Sequence, residues 1–208
     1  MPKKGSPLYD ALKATIDSLK TLFDDGVIFL PHLTITSDIH CHNQAQVDSI
    51  LDTALAASKA VPQIPVIVDG LVYGSLYFKK VFLSVVPAPE LVSLARICRE
   101  EFVTAPMIAS SEKNYSALSQ EERDSLSKQA AQIANDWARD EYKPHVSLAY
   151  SNMYPVDEAL QGTIDMRLTD TFGEHYATRG IGWTGGRLAL VRCEGNVEDW
   201  VVLGHRDI

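Results

Sequence analysis

The sequence predicts an α+β protein of two lobes related by an approximate twofold repeat, with antiparallel sheets flanked by helices and a cleft between them. Three observations lead there. Hairpin-like strand pairs outnumber strand–helix–strand crossovers, which disfavours a doubly wound parallel sheet. The order helix, strand, helix, hairpin, helix is followed by helix, strand, helix, hairpin, with no short fixed period of a solenoid. Finally, 208 residues, 46% hydrophobic and 22% charged, suit one domain or two intimately packed lobes with a large core. The whole of 1–208 therefore reads as a single bilobal domain.

Each element has a local cause. Ser6-Pro7 is a cap followed by proline at the first helical position, and Leu8, Leu12, Ile16, Leu19 and Phe23 recur at helical spacing, so a first helix runs to about Phe23. Phe29 to Thr36 is β-branched and alternating, which predicts a strand, with Pro31 at its entry or edge. Asn43 and Gln46 have capping-box spacing, and Val47, Ile50, Leu51, Ala54 and Leu55 form the apolar face of a second helix. Pro62 and Pro65 bracket its end.

Val66 to Tyr73 and Lys79 to Val86, joined through Gly74-Ser75, predict a hairpin, and Pro87 and Pro89 lead into a third helix carrying Leu91, Leu94, Ala95, Cys98 and Phe102. The polar, non-periodic run from Thr104 to Ala117 predicts a long loop where the lobes join, near 104–118. Ser119 and Glu122 repeat the capping-box spacing ahead of Leu126, Ala130, Ile133 and Trp137, a helix to about Tyr142. Pro144 to Tyr150 predicts a short strand, Val156 to Leu168 a helix, and Gly186 to Cys193 with Val197 to Leu203 a closing hairpin.

Nineteen basic against 27 acidic side chains give a net charge of -8. That argues against gripping long nucleic acid or an anionic membrane, and leaves room for a small, enclosed anionic ligand. Cys41, Cys98 and Cys193 are odd in number and widely spaced, and the N-terminus leads into an amphipathic segment rather than an apolar run. The expectation is a soluble cytoplasmic protein without disulfide framework, signal peptide or membrane span. No repeat or heptad defines an oligomeric interface.

Two of the six histidines share one context, Pro-His-apolar-hydroxyl-apolar: Pro31-His32-Leu33-Thr34-Ile35 and Pro144-His145-Val146-Ser147-Leu148. Side chains on a strand alternate faces, so each strand buries an aliphatic face and presents an imidazole beside a hydroxyl. Two such strands facing across a cleft bring two imidazoles and two hydroxyl donors around one point. This apparatus can open a phosphodiester without metal or cofactor. A neutral imidazole takes a proton from attacking water, an imidazolium protonates the departing sugar oxygen, and Thr34 and Ser147 donate to the non-bridging oxygens. His145 is assigned as base and His32 as acid, roles that the pseudo-symmetric motifs could reverse.

At these residues the sequence resembles the two-histidine phosphoesterase superfamily, whose signature is a pair of His-x-Thr/Ser-x tetrapeptides, here His32-Leu33-Thr34-Ile35 and His145-Val146-Ser147-Leu148. Within it the chain is most similar to the fungal- and plant-type cyclic phosphodiesterases, over about Ser6 to Leu203. The resemblance implies a bilobal fold and hydrolysis of 2',3'-cyclic nucleotides to 2'-phosphates. It also implies action on ADP-ribose 1'',2''-cyclic phosphate, a by-product of tRNA splicing. The family uses a tyrosine after the second motif, matched by Tyr150 as a substrate-binding residue. Strand alternation turns Tyr150 away from His145, so it lines the site only if the strand bulges or ends first. The family also begins with an aliphatic strand before its first helix, for which Met1-Pro2 leaves almost nothing, so the expectation is either a missing N-terminal strand with an exposed sheet edge or a sequence that starts late.

The remaining patterns read more blandly. His40-Cys41-His42 lacks a second cluster at zinc-like spacing and is expected to be a polar loop. Gly180-Ile181-Gly182-Trp183-Thr184-Gly185 fits a dinucleotide fingerprint by letter, but a strand rather than a helix follows it. Lys79-Lys80 suits either attraction of a phosphate or the capping of an edge strand. Asp24 and Asp25 read as a solvated turn. The rival functions are processing of longer RNA ends on the same fold, which a basic groove would mark, and nucleotide binding without catalysis, which would show no product.

Overall fold

The computed structural model describes residues 1–61, 63–112, 114–176 and 180–208. Among these described residues are six α-helices and six strands, the strands in two antiparallel sheets. Helix α1, Pro7–Lys20, starts where Ser6 Oγ accepts the Tyr9 N–H and buries Leu12, Ile16 and Leu19. It stops short of Phe23 because its end tightens: the N–H groups of Leu22 and Phe23 donate three residues back, to Leu19 and Lys20. Phe23 still reaches the core from this turn.

Helix α2, Gln44–Lys59, is capped by Asn43 Oδ1 on the Gln46 N–H, while Gln46 Oε1 accepts from His42 N–H. It lies on the two-stranded sheet of β5 (Arg187–Arg192) and β6 (Val201–Asp207). Gly204 permits this approach, since a Cβ there would stand 2.8 Å from Leu51 Cδ1. Met1 exchanges both backbone hydrogen bonds with Arg187 on β5.

The larger sheet has the order β3-β2-β1-β4, formed by β1 (Pro65–Tyr73), β2 (Val81–Val85), β3 (His145–Ala149) and β4 (Gly182–Thr184). It draws strands from both sides of residue 104. Alternation along β2 buries Val81, Leu83 and Val85, which join Val146 and Leu148 of β3 in the core. Helices α3 (Pro89–Arg99) and α5 (Gln120–Asp140) pack on each other, and α6 (Glu158–Phe172) packs on α1, where Arg167 donates to Ser18 O. The capping box at Ser119 and Glu122 is formed in full.

Two segments differ from their sequence reading. Residues 29–36 form no regular strand and, among the described residues, join a sheet only through a bridge between Leu33 and Val146. Pro31 has no N–H to give, and the Leu30 carbonyl is taken by the His32 ring, so no ladder propagates upstream. The expected loop from Thr104 is helical at first: α3 continues through a wide π turn at Glu100–Thr104 into α4, Ala105–Ser111. Pro106 explains the turn, because its missing N–H cannot serve the carbonyl four residues back. Thr104 Oγ1 closes the gap by donating within reach of Arg99 O, Glu100 O and Ala130 O. Among the described residues no helix is long and apolar enough to cross a membrane.

Candidate active site

The bridge between Leu33 and Val146 sets the register of the two motifs. In an antiparallel pairing, Leu33 opposite Val146 places His32 opposite Ser147 and Thr34 opposite His145. Residues directly opposite share a face, so both imidazoles and both hydroxyls lie on one side. The intervening Leu33 and Val146 are buried on the other, at 7% and 0% exposure. Directly opposite Cβ atoms in such pairs lie about 5 Å apart and diagonal ones ~7–8 Å. That spacing lets a phosphate sit between the rings.

Each imidazole is held in the same way. His32 Nδ1 lies 2.6 Å from Leu30 O, and His145 Nδ1 lies 2.8 Å from Lys143 O. A carbonyl can only accept, so Nδ1 carries the hydrogen in both rings and Nε2 is left for chemistry. An aromatic edge steadies each: Phe29 meets His32 at 6.2 Å between ring centres, and Phe82 meets His145 at 5.4 Å. Tyr142 O–H donates to Thr34 O and pins the first motif.

Burial pushes both imidazoles below the ordinary histidine value, and the carbonyl hydrogen bonds only partly oppose it. The Lys79 ammonium pushes His145 further down, and the two rings influence each other at His32. The uncharged form is thereby favoured at each, as a base requires. A proton held by either is correspondingly acidic.

Both motifs open on a cleft of about 1390 Å³ that also takes in Tyr150, Phe78 and Lys79. Ser147 is buried, and its hydroxyl donates to Phe78 O at 2.9 Å. Thr34 is exposed to the cleft. Tyr150 lines the cleft because both conditions for it hold: β3 ends at Ala149, and a register shift against β2, where Val81 pairs Ala149 and Phe82 pairs Ser147, resets the alternation. Its ring stacks on Phe29 at 3.9 Å and 10°, and burial drives its phenol well above the usual tyrosine range.

Several residues in or beside the cleft escaped the sequence reading. Phe29 and Phe82 precede their histidines or face them across a strand, and nothing in their spacing marks them. Phe78 is half exposed and meets both Tyr150 and Trp200 through its ring. The two lysines part company: Lys79 enters the cleft, whereas Lys80 is fully buried, donating to Ser75 O and lying over the Tyr154 ring. Asp25 is more than a solvated turn, since its carboxylate accepts from Ser151 Oγ at 2.5 Å and Asn152 N at 2.6 Å. It thereby fixes the chain leaving the second motif.

His40, Cys41 and His42 sit on the cleft wall, and among the described residues no three His, Cys, Asp or Glu side chains gather to hold a metal ion. The glycine run from Gly180 leads into β4 and then β5, with no helix for a pyrophosphate to cap. Among the described residues Cys41, Cys98 and Cys193 are free thiols.

An α+β scaffold that places paired His-x-Thr/Ser-x motifs in mutual register on a cleft defines a two-histidine phosphoesterase. Residues 1–208 match the sequence pattern of the family described as cyclic phosphodiesterase-like protein, and the chain belongs to that family. It is 52% identical over 207 residues to the 2',3'-cyclic-nucleotide 3'-phosphodiesterase of Yarrowia lipolytica, covering 99% of this chain and 96% of the relative. Its identity to the proteins of the same name is 34% in Eremothecium gossypii, covering 100% of this chain and 96% of that one, and 28% in Saccharomyces cerevisiae, covering 100% and 97%.

Proposed function

We propose that the protein is a cytoplasmic, metal-independent phosphodiesterase that opens 2',3'-cyclic nucleotides to nucleoside 2'-phosphates. The observation that carries this reading is the register at Leu33 and Val146, which sets each motif's histidine against the other's hydroxyl on one face. The names of the related fungal enzymes support the substrate class.

In the proposed reaction the cyclic phosphate lies between the rings with its non-bridging oxygens toward Thr34 and Ser147. His145, uncharged, takes a proton from water as the water oxygen bonds to phosphorus. The bond from phosphorus to O3' breaks, and His32 as imidazolium delivers its proton to O3'. The product keeps the phosphate on O2', and the two histidines end with their protonation reversed, to be reset by solvent. To donate to phosphate, Ser147 must release Phe78 O, exchanging one acceptor for another. Tyr150 with Phe29 forms one wall against the ligand.

The cleft exceeds the ~300–1,000 Å³ common for small-molecule sites, so it has room for ADP-ribose 1'',2''-cyclic phosphate as a second substrate, the compound left by tRNA splicing. We take the chain to act as one bilobal unit joined near 104–118, with its affinity for phosphate confined to the cleft. The test is product analysis after incubation with a 2',3'-cyclic nucleotide and, separately, the cyclic ADP-ribose phosphate, in the presence and absence of EDTA. The expected products are the 2'-phosphate and ADP-ribose 1''-phosphate, unaffected by the chelator. A 3'-phosphate product, no turnover, or loss of activity with EDTA contradicts the proposal.

A further inference from the structure

The two motifs match in how each ring is held, with Nδ1 on the carbonyl two residues back and an aromatic edge beside it. Something outside them must decide which histidine is the base. The hairpin turn between β1 and β2 supplies an asymmetry. Tyr77–Lys79 forms a single 3-10 turn docked on the second motif by two hydrogen bonds, Ser147 Oγ–H to Phe78 O at 2.9 Å and Ser151 N–H to Tyr77 O at 3.2 Å. Its base is closed by Gly74 N–H on Lys80 O, and buried Lys80 ties back to Ser75 O. A Cβ at Gly74 would lie 2.1 Å from Lys79 O, so this close turn requires glycine there. Lys79, which lines the cleft, is thus carried on a fixed backbone.

We propose that Lys79 is a positioning residue that assigns the base role to His145, because its ammonium, carried into the shared cleft by a turn docked on the second motif, disfavours a second cation there and leaves the shared proton on His32. This rests on the two-histidine reaction proposed above. The charged groups that share the cleft with His145 include Lys79 from the turn, His32 from the facing segment, Lys143 just ahead of its strand, and Glu141, Arg192, Glu194 and Glu198 on the cleft walls. Of these, Lys79 is the charge that depresses His145. The charges acting on His32 are His145 itself and the Met1 α-amino group, which burial lowers to about 6 and so leaves mostly uncharged at neutral pH. Lysine ammonium groups keep their charge there.

The experiment compares wild type with Lys79→Met and Lys79→Arg, using histidine ring NMR titration of the free enzyme and pH profiles of kcat and KM on a 2',3'-cyclic nucleotide. Resonances are assigned with His32→Ala and His145→Ala. In Lys79→Met the His145 titration is expected to move up more than that of His32. The acid limb of kcat, which reports protonation of the base, moves to higher pH, and Lys79→Arg restores both. NMR separates the two sites where rates report only the pair. Equal movement of both rings, no movement, or a rise in KM with an unmoved profile overturns the proposal. Turnover that survives in both histidine variants refutes the underlying reaction instead, and the titrations still judge Lys79.

Discussion

Ser147 and Thr34 have the same proposed task but different surroundings, so removing each hydroxyl separates stability from catalysis. Ser147→Ala deletes the donor to Phe78 O in a buried position and leaves that carbonyl without its partner. An unsatisfied buried group costs about 1–3 kcal/mol. In a chain of this length each kcal/mol lowers Tm by roughly 2–4 °C, so a loss of about 2 kcal/mol lowers it by roughly 4–8 °C. Thr34 is exposed, and Thr34→Ala should change stability by no more than about 0.5 kcal/mol. Both variants lose a donor to the charge that develops on phosphate, worth on the order of 10²–10³ in kcat. Thermal unfolding followed by circular dichroism, alongside steady-state kinetics at a temperature where both variants are folded, reads the two effects independently. Full thermal stability in Ser147→Ala refutes the structural part. Wild-type kcat in either variant refutes the role of that hydroxyl.

The histidines carry a further pair of predictions. Because burial lowers both, the bell-shaped pH profile of kcat/KM should be centred below the ordinary histidine value of 6.5, and that of kcat should lie at higher pH, since bound phosphate stabilises the imidazolium; a centre above 6.5 for the free enzyme contradicts this. The linkage has a definite sign: groups depressed in the folded state bind fewer protons than in the unfolded chain, so their stabilisation is full above 6.5 and is lost as pH falls through the folded values. Chemical denaturation between pH 7.5 and 5 should show this slope, reduced in His32→Ala. Lys80 should behave unlike its neighbour: Lys80→Ala removes a fully buried side chain with its bond to Ser75 O, and the expected loss is about 3 kcal/mol of stability, read by urea unfolding.

The paired motifs were legible because they depend on residue type and short spacing. Pro-His-apolar-hydroxyl-apolar, twice, carries its own alternation, and the burial of Leu33 and Val146 opposite the rings agrees with it. The caps at Ser6, Asn43 and Ser119 were readable for the same reason, as were both hairpins. What escaped depends on backbone hydrogen bonding between distant segments. Residues 29–36 have strand composition, but a proline and a histidine ring remove the partners that a ladder needs. The helix past Thr104 hides behind Pro106, whose exclusion from a regular turn is met by a π turn that composition does not announce. Tyr150 could be placed only once the register shift beside Leu148 was seen. Lys79 and Lys80 are adjacent and chemically alike, yet the turn sends one into the cleft and buries the other.

In the proposed reaction His32 and His145 act as one acid–base unit, which a double-variant cycle probes. Turnover of a 2',3'-cyclic nucleotide is measured for wild type, His32→Ala, His145→Ala and the double variant, each checked for native circular dichroism. Proton transfer by a positioned side chain contributes on the order of 10²–10⁴ in rate, and members of a catalytic unit are strongly non-additive. Each single variant is expected to fall by at least ~10², with the double variant scarcely slower than the worse single. Wild-type turnover in either single variant, or a double variant slowed by the product of the two single effects, would contradict it.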